Sequence, residues 1–241
     1  RAEGVRILKS IRHSRKLRRG AIAANEFTII VRDFDDPADA VPPALARVSK
    51  QGFPNFFGTQ RFGNAGSNID LAARWFSGAI RLRGDKRSMA LSAARSLIFN
   101  AVLDKRVQND SWLTCQHGEA LNPEGRGGFF LCDSPDEDIR TRIANGQLHL
   151  TGPLWGSGPF LTGATIADFE AGVAGQFANL RDGLEGSRMR HQRRALRAMP
   201  RELCWEQRDN TLHLSFALGS GVYATSLLSA ILNTDETRAQ R

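Results

Sequence analysis

The sequence has few cysteines, no long apolar run and no biased composition. Its thiols, Cys115, Cys132 and Cys204, are odd in number and scattered, which predicts neither a disulfide framework nor a zinc site. The longest apolar runs, such as 27–31, are far below the roughly 18 residues that span a bilayer. Hydrophobic residues at 41% and charged residues at 24% exclude collagen and low-complexity disorder. We therefore expect a globular cytoplasmic protein without a membrane segment.

The common cofactor and nucleophile motifs are also missing. No G-x-x-x-x-G-K-[ST] loop and no G-x-G-x-x-G at the start of a helix is present, which argues against nucleotide binding. No G-x-S-x-G nucleophile motif occurs. The five histidines show no metal-ligand spacing, so the sequence predicts no metal site.

Lysine is scarce and arginine abundant. Only five of the 33 basic residues are lysines, which leaves 33 − 5 = 28 arginines, and the net charge is +8. Because the arginine fork suits phosphates and stacks on bases, this composition favours a nucleic-acid partner. GC-rich codon usage with ordinary surface charge explains the same numbers, and composition alone leaves both interpretations open.

The arginines form two clusters along the chain. The first covers 12–19 and is suited to phosphate contacts, with a solvated basic face as the alternative. The second falls largely on a segment, 187–199, that we predict to be helical and that Pro200 ends. A solvated helix face is the favoured interpretation there. Its members are Arg190, Arg193, Arg194, Arg197 and Arg201.

Strands are predicted near both ends of the chain, with a mostly helical block between them. Alternating apolar residues predict strands at 26–31 and 211–216. The region 52–66 reads as an irregular loop, and 115–159 as a Gly- and Pro-rich stretch with short β pieces. This order predicts an α+β fold in which one domain is inserted into another, with boundaries near Lys50 and Pro200. Predicted helices cover 44–50, 69–76, 88–107 with Ser88 as cap, 136–144, 166–180, 187–199 and 223–232.

Two segments carry side chains suited to binding a base. Asn25 and Phe27 share one face of the first predicted strand, so an amide and a ring could hold a base together, although plain core packing is the commoner role for Phe27. The loop Gly52 to Gly63 packs four phenylalanines among Asn, Gln, Arg and Gly. Such a loop must be held by its own hydrogen bonds.

Several segments together resemble the tRNA pseudouridine synthase D (TruD) family. The basic stretch followed by Asn25-Glu26-Phe27 resembles the family's N-x-F motif, and Gly52 to Gly63 matches its G-x-P-N-[YF]-F-G-x-Q-R-F-G signature throughout. The resemblance covers nearly the whole chain. Further matching segments are Leu91 to Ser96 with Phe99-Asn100, Gly125-Arg126-Gly127, Gly221 to Ser226 and Ile231-Leu232-Asn233.

The resemblance implies an isomerase that detaches uracil from its ribose and rejoins it through carbon 5. Bacterial members act on uridine 13 of transfer RNA and use neither metal nor organic cofactor. The implied fold is a mixed α/β catalytic domain on an antiparallel sheet, present here in part, with a mostly helical inserted TRUD domain. The implied division is 1–51 and 200–241 for the catalytic domain and 52–199 for the insertion. Transfer RNA is the expected partner, and no protein partner is indicated.

The resemblance also assigns site residues. Asn25, Phe27 and Tyr223 are expected to form the substrate-base pocket, with Tyr223 standing where many relatives carry Phe. Residues expected to contact RNA are Arg12, His13, Arg15, Lys16, Arg18, Arg19, Asn55, Gln60 and Arg61.

The family's catalytic aspartate is expected outside this chain. Its G-x-K-D-[RK]-x-A-x-T-x-Q motif lies N-terminal to the basic stretch, and the first methionine here is Met89, so we expect the chain to be part of a longer product. Asp85 in Gly84-Asp85-Lys86 is rejected as a substitute, because the Lys-Asp order is reversed and Thr and Gln are missing. A non-catalytic RNA-binding protein is the alternative function.

Overall fold

The computed structural model describes residues 22–32, 40–124, 128–208 and 211–232, together with Arg6, Ser10, Ile11, Arg12, Ser14 and Lys16. The helices are α1 Val41–Gln51, α2 Ser67–Phe76, α3 Gly84–Gln108, α4 Glu137–Ala144, α5 Ala164–Gly175, α6 Ala178–Gly186 and α7 Ala224–Ile231. The strands are β1 Asn25–Arg32, β2 Phe53–Pro54, β3 Glu119–Pro123, β4 Phe130–Cys132, β5 Leu148–Leu154, β6 Gln192–Ala195, β7 Arg197–Ala198, β8 Arg201–Arg208 and β9 Thr211–Leu218.

The first and last described strands lie side by side. β1 pairs antiparallel with β9 along its whole length, from Asn25 opposite Leu218 to Arg32 opposite Thr211, and β8 completes a three-stranded sheet in the order β1-β9-β8. Alternate residues of β1 and β9 face one core, which α1 and α7 cover. Both predicted end strands are therefore confirmed. They were identifiable from the sequence because alternation of apolar and polar residues is a local signal for a strand.

The block between these strands contains helices and a second antiparallel sheet. Its four strands have the order β4-β3-β5-β6, and the two-residue strands β2 and β7 pair beside it. The 25-residue helix α3 is buried along much of its length and packs on β5, α2, α5 and α6. The α+β class is confirmed. The domain boundaries near residues 51 and 200 stay a prediction, with which the pairing of β1 and β9 is consistent.

The predicted helix 187–199 is wrong. This segment forms β6 and β7, and residues 192–195 pair with 151–154 of β5. Arg and Ala are good helix formers, but tertiary pairing overrides intrinsic propensity. The predicted helix 166–180 is two helices, α5 and α6, which break at 176–177.

Other local predictions have mixed outcomes. Ser88 does not cap α3, because the helix begins at Gly84 and the Ser88 hydroxyl donates to the Gly84 carbonyl within it. The 52–66 loop contains β2 and two short 3₁₀ turns. Of the short β pieces predicted within 115–159, the one at 128–132 corresponds to β4, whereas β3, β5 and β8 have no specific counterpart among the predicted strands. No helix within the described ranges is long and apolar enough to cross a membrane.

Candidate active site

The signature loop from Gly52 to Gly63 is fixed by hydrogen bonds from two other segments. The backbone N–H of Asn55 donates to the Leu196 carbonyl at 2.8 Å, which anchors the loop to the residue between β6 and β7. The Asn100 side chain on α3 satisfies both backbone groups of Phe57: its Oδ1 accepts from the Phe57 N–H at 2.9 Å, and its Nδ2 donates to the Phe57 carbonyl at 2.9 Å.

The sequence predicts that the loop is held by its own hydrogen bonds. Two bonds do lie within it, from the Phe56 N–H to the Pro54 carbonyl at 3.0 Å and from the Arg61 N–H to the Gly58 carbonyl at 2.9 Å. The bonds that anchor the loop to the rest of the fold, however, come from Asn100 and Leu196 outside it.

Tyr223 lies against this loop, just before α7. Its ring meets Phe57 edge-on at 6.1 Å between centroids. A Cβ at Gly58 would lie 2.8 Å from both Tyr223 Cδ1 and Thr225 Oγ1, so only glycine permits this close approach. The Ser226 hydroxyl donates to the Phe56 carbonyl at 2.9 Å and joins α7 to the loop.

Arg61 connects Tyr223 to α3. Its Nε donates to the Tyr223 hydroxyl at 3.0 Å, and its Nη1 donates to Ser92 Oγ at 2.8 Å. The guanidinium lies 5.2 Å from the Phe57 ring centroid and 5.9 Å from that of Tyr223. The hydroxyl that distinguishes Tyr223 from a phenylalanine therefore has a defined acceptor role.

Arg194 on β6 fixes the same site from the opposite direction. Its Nη2 donates to Asn55 Oδ1 at 2.6 Å and to the Gly221 carbonyl at 2.9 Å, and its guanidinium stacks 4.1 Å from the Phe57 ring centroid. Burial lowers the pKa of Arg194 to about 10, with a smaller contribution from Arg61, so the group is still protonated at neutral pH. A positively charged guanidinium therefore lies directly against the Phe57 ring of the loop.

Asn25 and Phe27 lie on β1, opposite the C-terminal end of β9. The chain continues from this end of β9 to Tyr223. Asn25 is exposed and opposite Leu218, the last residue of β9. Phe27 is half-buried and stacks on Phe216 with 5.4 Å between ring centroids. The ring therefore has a packing role in the sheet, and its membership in a base pocket with Asn25 and Tyr223 stays a prediction.

Asn55, one of the predicted RNA contacts, is buried in the structure. It is only 5% exposed, and its Nδ2 donates to the Ala195 carbonyl at 2.9 Å while its Oδ1 accepts from Arg194. Both ends of the amide are occupied inside the protein, so this side chain holds the loop.

The other predicted RNA contacts differ in accessibility. Gln60, Arg12 and Lys16 are exposed, whereas Arg61 is half-buried in the contacts described above. His13, Arg15, Arg18 and Arg19 lie outside the described residues, as do Gly125-Arg126-Gly127 and Asn233. Asp85 is exposed in the first turn of α3.

The second arginine cluster is not a solvated helix face. Arg193 makes a buried ion pair with Glu170, and Arg194 holds the loop. Arg197 is 3% exposed and donates to His149 Nδ1 and to the carbonyls of residues 143 and 148. Burial lowers the pKa of Arg197 to about 10. These three arginines therefore hold strands together, while Arg190 and Arg201 are exposed.

Sequence reasoning missed the polar face of α3. Ser92, Ser96 and Asn100 recur every fourth residue, so they lie on one side of the helix. Ser92 binds Arg61 and Asn100 binds Phe57. A polar row at helical spacing within an otherwise buried helix was the available signal. The described residues bring no group of three metal-ligating side chains together.

Comparisons with known proteins agree on one family. The family model described as tRNA pseudouridine synthase D (TruD) matches residues 1–76 and 76–231. A tRNA pseudouridine synthase D of Nitrosococcus oceani is 41% identical over 239 residues, covering 98% of this chain and 67% of the relative. One of Methylococcus capsulatus is 39% identical over 237 residues, covering 97% and 67%. This chain thus spans about two thirds of these relatives.

A solved structure shares the fold. The crystal structure of a putative tRNA pseudouridine synthase D from Methanosarcina mazei superimposes with a TM-score of 0.68 at 15% identity. The superposition covers 92% of this chain and 71% of that one. At this identity the likeness concerns the fold alone.

Proposed function

This chain belongs to the tRNA pseudouridine synthase D family, and on that premise we propose that it catalyses the conversion of a transfer-RNA uridine to pseudouridine. The position is uridine 13, and the catalytic aspartate is supplied by sequence N-terminal to Arg1. The observation that carries the proposal is the complete signature loop, folded against Tyr223 through Arg61 and Gly58.

The chemistry requires a base pocket of the kind that these residues can form. The target uracil has to leave the base stack before it can be reached. The N1–C1′ bond then breaks, the base turns, and C5 bonds to C1′ while a proton leaves C5 and N1 gains one. Phe27 is the stacking platform, Asn25 the polar partner, and Tyr223 the second aromatic wall. Because the atoms only rearrange, the reaction consumes no oxidant, reductant or co-substrate.

The direct test is pseudouridine mapping on an unmodified tRNA transcript, with a transcript carrying cytidine at position 13 as the control. We compare the present chain with a version extended to include the aspartate motif. Conversion at uridine 13 by the extended version alone supports the proposal. Conversion by the present chain would place a competent aspartate here and reopen the role of Asp85. Salt-sensitive tRNA binding without conversion in either version would favour the RNA-binding alternative.

Phe27→Ala in the extended enzyme is expected to abolish conversion while tRNA affinity stays within about tenfold, or ~1.4 kcal/mol. The physical reason is the loss of the ring face on which the extruded base stacks. Since Phe27 also packs on Phe216, Phe27→Leu tests the ring with the apolar volume largely kept. Ile29→Ala, on the same face of β1, is the packing control and should retain turnover. Undiminished turnover in both Phe27 variants would remove the stacking role.

Arg15→Ala with Lys16→Ala is expected to weaken tRNA binding. The slope of log affinity against log salt should also become less steep, by the amount expected for the loss of about one to two phosphate contacts. The measurement is the slope of log affinity against log salt. The charge-matched control is Lys50→Ala with Lys86→Ala, two exposed lysines outside the basic stretch. Equal slopes for the two double variants would make the stretch an ordinary basic surface.

A further inference from the structure

The two bonds of Arg61 have a consequence for how the pocket is held. The residue belongs to the predicted inserted domain, yet its guanidinium ends on Tyr223 in the C-terminal segment. The other end of the fork is fixed by Ser92 on α3. Because the guanidinium is planar and rigid, its two bonds relate the Tyr223 hydroxyl to one point on α3 in both distance and angle.

We propose that Arg61 is a positioning residue, which sets the orientation of the Tyr223 ring from α3 and does not bind RNA itself. This inference rests on the proposed base-pocket role of Tyr223. It revises the sequence-based expectation that Arg61 contacts RNA, and it gives the insertion a direct part in shaping the pocket.

The surroundings of Arg61 favour this role over a phosphate contact. Two of its three guanidinium nitrogens already donate to side-chain oxygens, and the group lies close to the rings of Phe57 and Tyr223. Its own carbonyl accepts from Asn68 Nδ2 at 3.3 Å, which fixes the backbone. Nε carries a single N–H, so a phosphate could bind the Nε side of the guanidinium only by displacing the Tyr223 hydroxyl.

Tyr223 is also held at other points, so that the hydroxyl bond defines its remaining freedom. Gly58 lies against one edge of the ring, and Arg194 holds the Gly221 carbonyl two residues earlier. These contacts fix the position of the backbone and one ring edge. The Arg61 bond at the far end of the ring then selects its tilt.

Helix α3 is a suitable reference point because it is anchored to the core of the insertion. One turn after Ser92, the buried Arg95 donates from Nη2 to the Leu154 carbonyl at 2.7 Å and to the Arg190 carbonyl at 2.9 Å. The Ser96 hydroxyl donates to the Ser92 carbonyl at 2.8 Å. The serine that holds Arg61 is therefore itself rigidly placed.

The kinetic test uses the extended enzyme with Arg61→Gln, Ser92→Ala and Tyr223→Phe. We expect Arg61→Gln to lower kcat by about 10–100-fold, the scale of a misplaced reacting group, with Kd for tRNA and its salt slope unchanged. Ser92→Ala should lower kcat in the same direction with no change in Kd, because serine carries no charge for RNA. The variant combining Arg61→Gln with Tyr223→Phe should lie within about twofold of Arg61→Gln alone, as expected for residues that act through one contact.

Two kinetic results would overturn the proposal. One is a rise in Kd for Arg61→Gln with a salt slope lower by about one, the mark of a lost phosphate contact. The other is a Tyr223→Phe variant that is either fully active, or whose loss multiplies with that of Arg61→Gln in the double variant. Either result would mean that the two residues do not act through their contact.

A spectroscopic readout tests the same contact without activity. Tyr223 is the only tyrosine among the 241 residues, so 3-fluorotyrosine gives one ¹⁹F resonance that reports this ring. Arg61→Gln and Ser92→Ala should both shift it, whereas Arg74→Gln, an exposed arginine at the end of α2, should not. An unmoved resonance in Ser92→Ala would overturn the link to α3. If the extended enzyme converts no uridine, the proposed function fails while the ¹⁹F result still decides the contact.

Discussion

Asn100→Ala is expected to destabilise the protein by about 2–6 kcal/mol, measured as a lower urea midpoint at constant m-value. The side chain is 7% exposed and satisfies the N–H and the carbonyl of Phe57 together. Alanine leaves both backbone groups buried without partners, and each such group costs about 1–3 kcal/mol.

The same substitution should also impair the site. Phe57 precedes Gly58, which lies against Tyr223, and its ring stacks with Arg194. Loss of the Asn100 bonds frees this segment of the loop, so residual activity at a temperature where the variant is folded should fall as well.

Ser96→Ala is the matched control for Asn100→Ala. Ser96 lies one helical turn before Asn100, is 1% exposed, and donates to the Ser92 carbonyl, a group within the same helix. Removing that hydroxyl leaves no backbone group without its helical partner, so the loss should stay at about 1 kcal/mol or below. Equal losses for the two variants would mean that helix burial, and not the hold on Phe57, determines the cost.

The sequence predicts the elements whose signals are local. Periodicity predicts these elements because the residues on the buried face of a strand or helix recur at a fixed spacing. They are β1, β9, α1, α7 and most of α3. The α+β class follows from their order. In contrast, β5 contains Gly152 and Pro153, residues that usually interrupt strands, and only its burial between β3 and β6 reveals it.

The arginines on β6 and β7 show why the second cluster was misinterpreted. Arg193 and Arg197 are buried because partners that are remote in sequence receive their guanidinium groups, among them Glu170 and His149. A run of arginines carries no mark of such partners, and exposure is the usual state of an unpaired arginine. The same reason hid the role of Asn55, whose partners lie 140 residues away.

The sequence predicts the loop of the candidate site, but it does not predict the residues that hold this loop in place. The composition of Gly52 to Gly63 required internal hydrogen bonds, and the family signature indicated its importance. Its support from Asn100 spans 43 residues and that from Tyr223 to Arg61 spans 162. Contacts over such distances depend on how α3 and α7 pack, which no local pattern specifies.

Glu170→Ala should cause the second large loss of stability, about 3–5 kcal/mol, because it leaves a buried arginine without its counter-charge. Glu170 on α5 and Arg193 on β6 form a two-pronged pair, with Nη1–Oε2 at 2.7 Å and Nη2–Oε1 at 2.8 Å. Their side chains are 1% and 3% exposed. Arg193 also donates to the hydroxyl and carbonyl of Thr151, but those neutral oxygens do not balance its charge.

The exposed pair Arg181–Asp182 is the control that distinguishes the effect of burial from the effect of bond length. Its Nε–Oδ1 distance is 2.8 Å, close to that of the buried pair, but its side chains are 34% and 62% exposed. Asp182→Ala should therefore leave the urea midpoint unchanged, since water solvates the freed arginine. A loss comparable to that of Glu170→Ala would show that the ion-pair contact, and not the buried charge, sets the cost.

The double variant Glu170→Leu with Arg193→Met tests the physical origin of this loss. Removing both charges also removes the desolvation penalty of each, so an apolar pair of similar volume often matches a buried ion pair in stability. We expect the double variant to recover at least half of the stability lost in Glu170→Ala, the remainder being the lost bonds to Thr151. If the double variant is as unstable as Glu170→Ala, the pair stabilises the protein by its bonding geometry, and the uncompensated charge of Arg193 is not the cause.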